Sequence, residues 1–77
     1  MTQRKMAMEY DSEWGRWVAE GVEEWYSLRS GESIRLHIGS KKLEGRLALG
    51  NGWSVVIGNT AIGLIEEYQY TVTIEVP

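Results

Sequence analysis

Hydrophobic and polar residues alternate with a period of two from Ser33 onward, which predicts β-strands because successive strand side chains point to opposite faces. A polar turn at residues 39–42 divides the first alternating stretch in two, so the halves form a predicted hairpin. The next turn, Gly50-Asn51-Gly52, leads into a further strand. The alternation predicts an inward-facing core made of Ile34, Leu36, Ile38, Leu43, Leu47, Leu49, Trp53, Val55, Ile57, Val72 and Ile74.

The turns set the predicted register of these strands. With residues 40 and 41 at the first turn, the apolar faces coincide and His37 lies opposite Glu44. Arg35 then lies opposite Arg46, and two facing arginines repel each other. They indicate either a contact for a partner's phosphate or carboxylate, or an ordinary solvated strand face.

A three-residue loop at 50–52, ending in a left-handed glycine, places Leu49 opposite Trp53. A two-residue loop would shift the register by one residue and invert the faces, so the longer loop is preferred. Residues 61–65 form a short apolar segment, Glu66–Tyr68 resembles one helical turn, and residues 70–76 alternate again.

The first third of the chain permits two interpretations. Residues 13–28 carry apolar residues at helical spacing, but Gly15 and Gly21 would cost such a helix about 1 kcal/mol each relative to alanine. The alternative is a hairpin whose first strand contains Met6, Met8 and Tyr10, with a turn at 11–15 and a return strand at 16–20. The hairpin is preferred, and the helix remains open.

A chain of 77 residues predicts one domain spanning residues 1–77, with residues 1–4 disordered. Five to six short antiparallel strands joined by glycine-rich turns predict an all-β, SH3-like barrel, since a small barrel hides the sheet edges. There is no Cys, which excludes disulfides and thiol chemistry. We expect a cytoplasmic protein without a membrane segment, because the start of the chain is polar and no apolar run could span a bilayer.

The composition does not predict an enzyme. The single His37 lies on a polar strand face, where a structural role explains it, and one imidazole could serve as a base for very few serines. One histidine without cysteine also makes a poor metal site, so no metal or cofactor is expected.

Charge is distributed unevenly along the chain. Residues 33–49 are basic and offer candidates for nucleic-acid binding, namely Arg35, Lys41, Lys42 and Arg46. Residues 9–32 hold seven acids against two arginines. The net charge of −3 argues against binding to a nucleic-acid backbone, so this function is the alternative.

Four Trp and four Tyr without Phe indicate half-buried or interfacial positions, because both side chains combine a large apolar body with a polar group. The acidic first third would then bind a protein partner through Trp14, Trp17, Trp25, Tyr26, Glu23 and Glu24. The competing interpretation is that these tryptophans fill or cover the core. A free edge at residues 72–76 also permits self-association.

Short motifs are spread over nearly the whole chain, namely Tyr10-Asp11, Gly15-Arg16, Ser30-Gly31-Glu32, Gly39, Arg46, Trp53, Val56 and Val72-Thr73-Ile74. In these motifs the chain resembles a family of short uncharacterised proteins from bacterial phages and mobile elements. The chain departs from the family at three places, where family members often have Cys in place of Ser30, a Trp near Lys42, and Tyr in place of Ser54. The resemblance favours the hairpin over the helix and implies a phage accessory protein. No activity is established for that family, so no functional residue carries over.

Overall fold

The computed structural model describes residues 2–77 and contains eight β-strands. They are β1 (Thr2–Asp11), β2 (Arg16–Glu20), β3 (Trp25–Leu28), β4 (Ser33–Ile38), β5 (Lys41–Leu49), β6 (Trp53–Ile57), β7 (Thr60–Gly63) and β8 (Tyr70–Val76). The prediction of an all-β fold is confirmed. No helix in residues 2–77 is long and apolar enough to cross a membrane.

The eight strands form one antiparallel sheet in the order β3-β2-β1-β8-β4-β5-β6-β7. The predicted count of five to six strands is therefore wrong. The additional strands β3 and β7 have four residues each, too few to show a clear alternation. These two strands are the edges of the sheet, so within residues 2–77 the hydrogen-bonded ladder does not close into the predicted barrel.

The hairpin interpretation of the first third is confirmed, since β1 pairs with β2 and Tyr10 lies opposite Trp17. Asp11 organises the turn, where its Oδ1 accepts hydrogen bonds from the backbone N–H of Glu13 at 2.9 Å and of Trp14 at 3.1 Å. Gly15 closes the turn with a φ of 65°, a conformation that residues with a Cβ rarely adopt. Asp11 and Gly15 thus form a tight turn where the alternative interpretation placed the start of a helix.

The two longest strands change partners along their length. β1 pairs with β8 through residues 2–8 and with β2 through residues 7–11. β5 pairs with β4 through residues 41–46 and with β6 through residues 46–49. At this change β6 approaches so closely that a Cβ on Gly45 would lie 2.6 Å from the carbonyl oxygen of Val56.

The inner face of the sheet holds one hydrophobic cluster with members from every strand except β7. No helix covers this face in the described chain, so the sheet must curl to bury it. The buried members are Met6, Met8, Trp17, Ala19, Leu28, Ile34, Leu36, Leu47, Trp53, Val55, Val72, Ile74 and Val76. Of the predicted core, Ile38 and Leu49 are exposed at strand ends, and Leu43 and Ile57 are only half-buried.

The predicted register of the β4–β5 hairpin is wrong by two residues. The turn lies at Gly39 and Ser40, with Gly39 at a φ of 59°, so that Arg35 faces Glu44 instead of Arg46. His37 correspondingly faces Lys42 instead of Glu44. A shift of two residues keeps each side chain on its predicted face, so the core survives while the charge pairs change.

The predicted register of β5 and β6 is confirmed, with Leu49 opposite Trp53. The loop between them differs in detail, because Gly52 does not have the predicted left-handed conformation. The proposed helical turn at Glu66–Tyr68 is a hydrogen-bonded turn, closed by the N–H of Tyr68 and the carbonyl of Ile65 at 3.0 Å. Residues 2–4, which we expected to be disordered, belong to β1 and pair with β8, while Met1 lies outside the described residues.

Candidate functional site

Two exposed tryptophans meet on the outer face of the sheet. Trp14 comes from the β1–β2 turn and is 54% exposed, and Trp25 begins the edge strand β3 and is 56% exposed. Their rings meet edge to face, with centroids 5.4 Å apart and planes at 71°. Trp25 lies opposite Glu20, whose neighbour Ala19 points into the core, so Trp25 belongs to the outer face.

Val18 is buried although it lies on the outer face. It lies between Glu9 and Ser27 in the ladder and is only 8% exposed. Trp25 lies two positions before Ser27 on the same face of β3, so it is a diagonal neighbour of Val18.

The surroundings of the Trp14–Trp25 pair are mainly acidic. Glu13 precedes Trp14, and Glu20 lies directly opposite Trp25. Both glutamates are exposed. The cation on this part of the face is Arg16, which lies opposite Asp11 and donates a 3.4 Å hydrogen bond to Ser27 Oγ. Two exposed rings are thus bordered by carboxylates.

Trp17 belongs to the core and not to a surface, which corrects its assignment as a binding residue. It is fully buried and contacts Tyr10 and Tyr70 edge to face, at centroid distances of 5.5 and 5.7 Å. Its indole Nε1 has no hydrogen-bond partner in the described structure. The alternation that places Met8 inside also places Trp17 inside, because they lie on the inner faces of paired strands.

Tyr26 and Glu24 stabilise the loop that precedes β3. The hydroxyl of half-buried Tyr26 donates to Glu24 Oε2 at 3.1 Å, and burial together with this carboxylate raises the pKa of Tyr26. Glu24 also contacts Arg4 at 3.6 Å. Glu23 is exposed in the same loop. Of the six predicted residues, the structure therefore pairs only Trp14 and Trp25 as an exposed aromatic surface.

Three of the four basic candidates, Arg35, Lys42 and Arg46, lie on the outer face of β4 and β5, and Lys41 does not. Arg35 forms a 2.5 Å ion pair with Glu44 and a 3.5 Å hydrogen bond with Gln3. Arg46 lies opposite Ser33 and lines a shallow groove. Lys41 is the first residue of β5, next to the turn, and lies on the opposite face of the strand from Lys42.

Lys42 instead lies beside His37, the single histidine of the chain. His37 Nε2 and Thr73 Oγ1 share a 2.7 Å hydrogen bond. Partial burial lowers the pKa of His37, and the positive charges of Lys42, Lys5 and Arg35 lower it further. Sequence reasoning missed Lys5, since its position depends on the pairing of β1 with β8 at opposite ends of the chain.

No group of three or more His, Cys, Asp or Glu side chains in residues 2–77 is arranged to hold a metal ion. Comparison with curated proteins and with solved structures finds no match. Comparison with protein families matches residues 6–74 to DUF5348, a domain of unknown function. This range covers the six strands β2 to β7 completely and most of β1 and β8. The chain therefore belongs to the DUF5348 family.

Proposed function

We propose that the chain is a non-enzymatic protein-binding module whose contact surface is the Trp14–Trp25 pair. The observation that supports this most strongly is the exposure of two large aromatic rings held together on one face. Tryptophan is among the residues that most often dominate the energy of protein interfaces. A partner that covers these rings gains the burial of apolar area that the isolated chain leaves in water.

The pair is also held in place before a partner arrives. Asp11 fixes the backbone of the turn that carries Trp14, while Trp25 lies in a strand paired with β2. Less conformational entropy is therefore lost on binding than if both rings were on flexible loops.

The acidic border indicates a basic partner segment. Glu13 and Glu20 attract lysine or arginine, and the faces of tryptophan rings bind cations, arginine above all. In keeping with the family resemblance, we propose a phage or mobile-element accessory protein acting in the cytoplasm on a basic host protein. An SH3-like architecture remains a prediction of the same kind. The prediction that residues 72–76 form a free edge is wrong, because β8 lies between β1 and β4, so self-association through a strand edge would have to use β3 or β7.

Calorimetric titration with a hexa-arginine peptide tests this proposal. We expect saturable binding that Trp14→Ala and Trp25→Ala each reduce severely, whereas hexaglutamate does not bind. The matched control is Tyr68→Ala, which removes another exposed aromatic ring from a loop distant in sequence. Equal binding by Trp14→Ala and the wild type, or an equal loss in Tyr68→Ala, would contradict the proposal.

The alternative function is nucleic-acid binding through Arg35, Lys41, Lys42 and Arg46. The structure offers it less support, because Lys41 lies on the other face of β5 and Arg35 is already paired with Glu44. The isoelectric point near 5.1 also disfavours it. Binding of a mixed oligonucleotide whose affinity falls steeply with salt and is lost in Arg35→Glu would favour this alternative over the protein-binding module.

A further inference from the structure

The outer face of β1, β8, β4 and β5 carries a second arrangement of side chains, remote in sequence from the Trp14–Trp25 pair. The register places Thr71 directly opposite His37, and His37 directly opposite Lys42. In the adjacent row, Thr73 lies between Lys5 on β1 and Arg35 on β4. Four strands thus bring together the group that we call the His37 patch, made of Lys5, Arg35, His37, Lys42, Thr71 and Thr73.

The charge of the His37 patch is positive and only partly balanced. Its three cations come from three different strands, and the carboxylate in the same rows is Glu44, which is already engaged by Arg35. Like charges on neighbouring strands destabilise a sheet slightly. Thr71 is exposed on β8, which lies between β1 and β4. Its hydroxyl can rotate to donate a hydrogen bond.

We propose that the His37 patch binds a phosphate group. Ammonium and guanidinium groups bind phosphate oxygens by charge-assisted hydrogen bonds, and threonine hydroxyls add neutral donors. A bound dianion offsets the repulsion among Lys5, Arg35 and Lys42. This proposal is independent of the Trp14–Trp25 pair and of any protein partner.

The single histidine makes the test specific, since the only imidazole proton signals in the NMR spectrum belong to His37. We expect inorganic phosphate to raise the pKa of His37 further than sodium chloride at the same ionic strength. The physical reason is that an adjacent anion stabilises imidazolium and offsets the cations that disfavour it.

Neighbouring lysines supply a matched pair of variants. Lys42→Gln should raise the pKa of His37 without added phosphate and abolish the phosphate-specific rise. Lys41→Gln removes the same charge from the opposite face and should preserve the rise. Lys5→Gln, on β1, should have the same two effects as Lys42→Gln, so the proposal can be tested even if one of these variants does not fold.

Two probes distinguish the sources of a phosphate group. A response to inorganic phosphate indicates a site for free phosphate or a small phosphate ester, whereas a response only to an oligothymidylate indicates a site for a phosphodiester backbone. Either response supports the proposal if Lys42→Gln removes it. The proposal is overturned if neither probe exceeds chloride, or if Lys41→Gln and Lys42→Gln weaken the response equally.

Discussion

Trp17 and Trp14 lie three positions apart in the same hairpin but on opposite faces of one sheet. Trp17 is enclosed by Tyr10 and Tyr70 on the inner face, while Trp14 meets Trp25 in water on the outer face. Residue type does not distinguish them. Strand register does, since Trp17 lies in the β1–β2 ladder and Trp14 in the turn before it.

The two faces also differ in how they tolerate change. Inner-face residues form one close-packed cluster, so that a change in volume is transmitted to several strands. The charged side chains of the outer face are largely exposed, and exposed ion pairs contribute little to folding. We therefore expect substitutions on the inner face to change stability and substitutions on the outer face to change binding.

The largest effect is expected at the centre of the inner face. Trp17→Ala should lower the free energy of unfolding by about 3–5 kcal/mol, because it removes a large buried ring and leaves a cavity. Urea denaturation measures this loss. An equal loss in Trp14→Ala would remove the distinction between the two faces.

The next effect is expected where β5 changes partner. Gly45→Ala should destabilise the fold by about 1–3 kcal/mol, since the added methyl group meets the backbone of Val56 and cannot displace it cheaply. Gly52→Ala is the matched control, because that position has open space and no positive φ. If the two variants denature at the same urea concentration, the close approach at Gly45 is not a constraint on the fold.

A smaller change in stability is expected on the outer face. Trp14→Ala should lower the free energy of unfolding by only about 1 kcal/mol, since it breaks an exposed edge-to-face contact with Trp25. The same variant should lose most of its affinity for hexa-arginine. A large stability loss with unchanged affinity would make Trp14 a structural residue.

The Arg35–Glu44 pair should contribute less still. Because the Glu44 side chain is 73% exposed, Arg35→Gln should cost about 0.2–1 kcal/mol, and a double-mutant cycle with Glu44→Gln measures the coupling. A coupling well above this range would show that an outer-face pair contributes to the fold as strongly as the core.

The pH dependence of stability gives the smallest expected effect. Because the pKa of His37 is lowered in the folded chain, the unfolded chain binds this proton first, and stability falls as pH decreases below the usual histidine value near 6.5. His37→Gln should remove this component of the pH profile. An unchanged profile in the variant would assign the effect to other groups.

Alternation alone predicts much of the inner face. It assigns Leu36, Leu47, Val55 and Val72 correctly to the core, and a two-residue error in the β4–β5 turn leaves that assignment intact. The same error changes every cross-strand charge pair, which is why Arg35 was expected to face Arg46. The face that a side chain occupies depends only on whether its position along the strand is odd or even, whereas its cross-strand partner depends on where the turn lies.

The candidate sites needed the three-dimensional structure for a different reason. Lys5 joins His37 only through the pairing of β1 with β8, which connects residues almost a whole chain apart. Trp14 lies in a turn and meets Trp25 across β2, and the alternation of hydrophobic and polar residues does not predict the path of a turn. Contacts that depend on long-range pairing or on loop geometry leave no local pattern in the sequence.

The most direct measurement of the division between the faces is an NMR titration of the indole N–H signals. The chain has four tryptophans, and each gives one such signal. We predict that hexa-arginine shifts the signals of Trp14 and Trp25 while those of Trp17 and Trp53 stay in place. Equal shifts of all four signals, or shifts confined to Trp17 and Trp53, would contradict the assignment of the exposed pair as the binding surface.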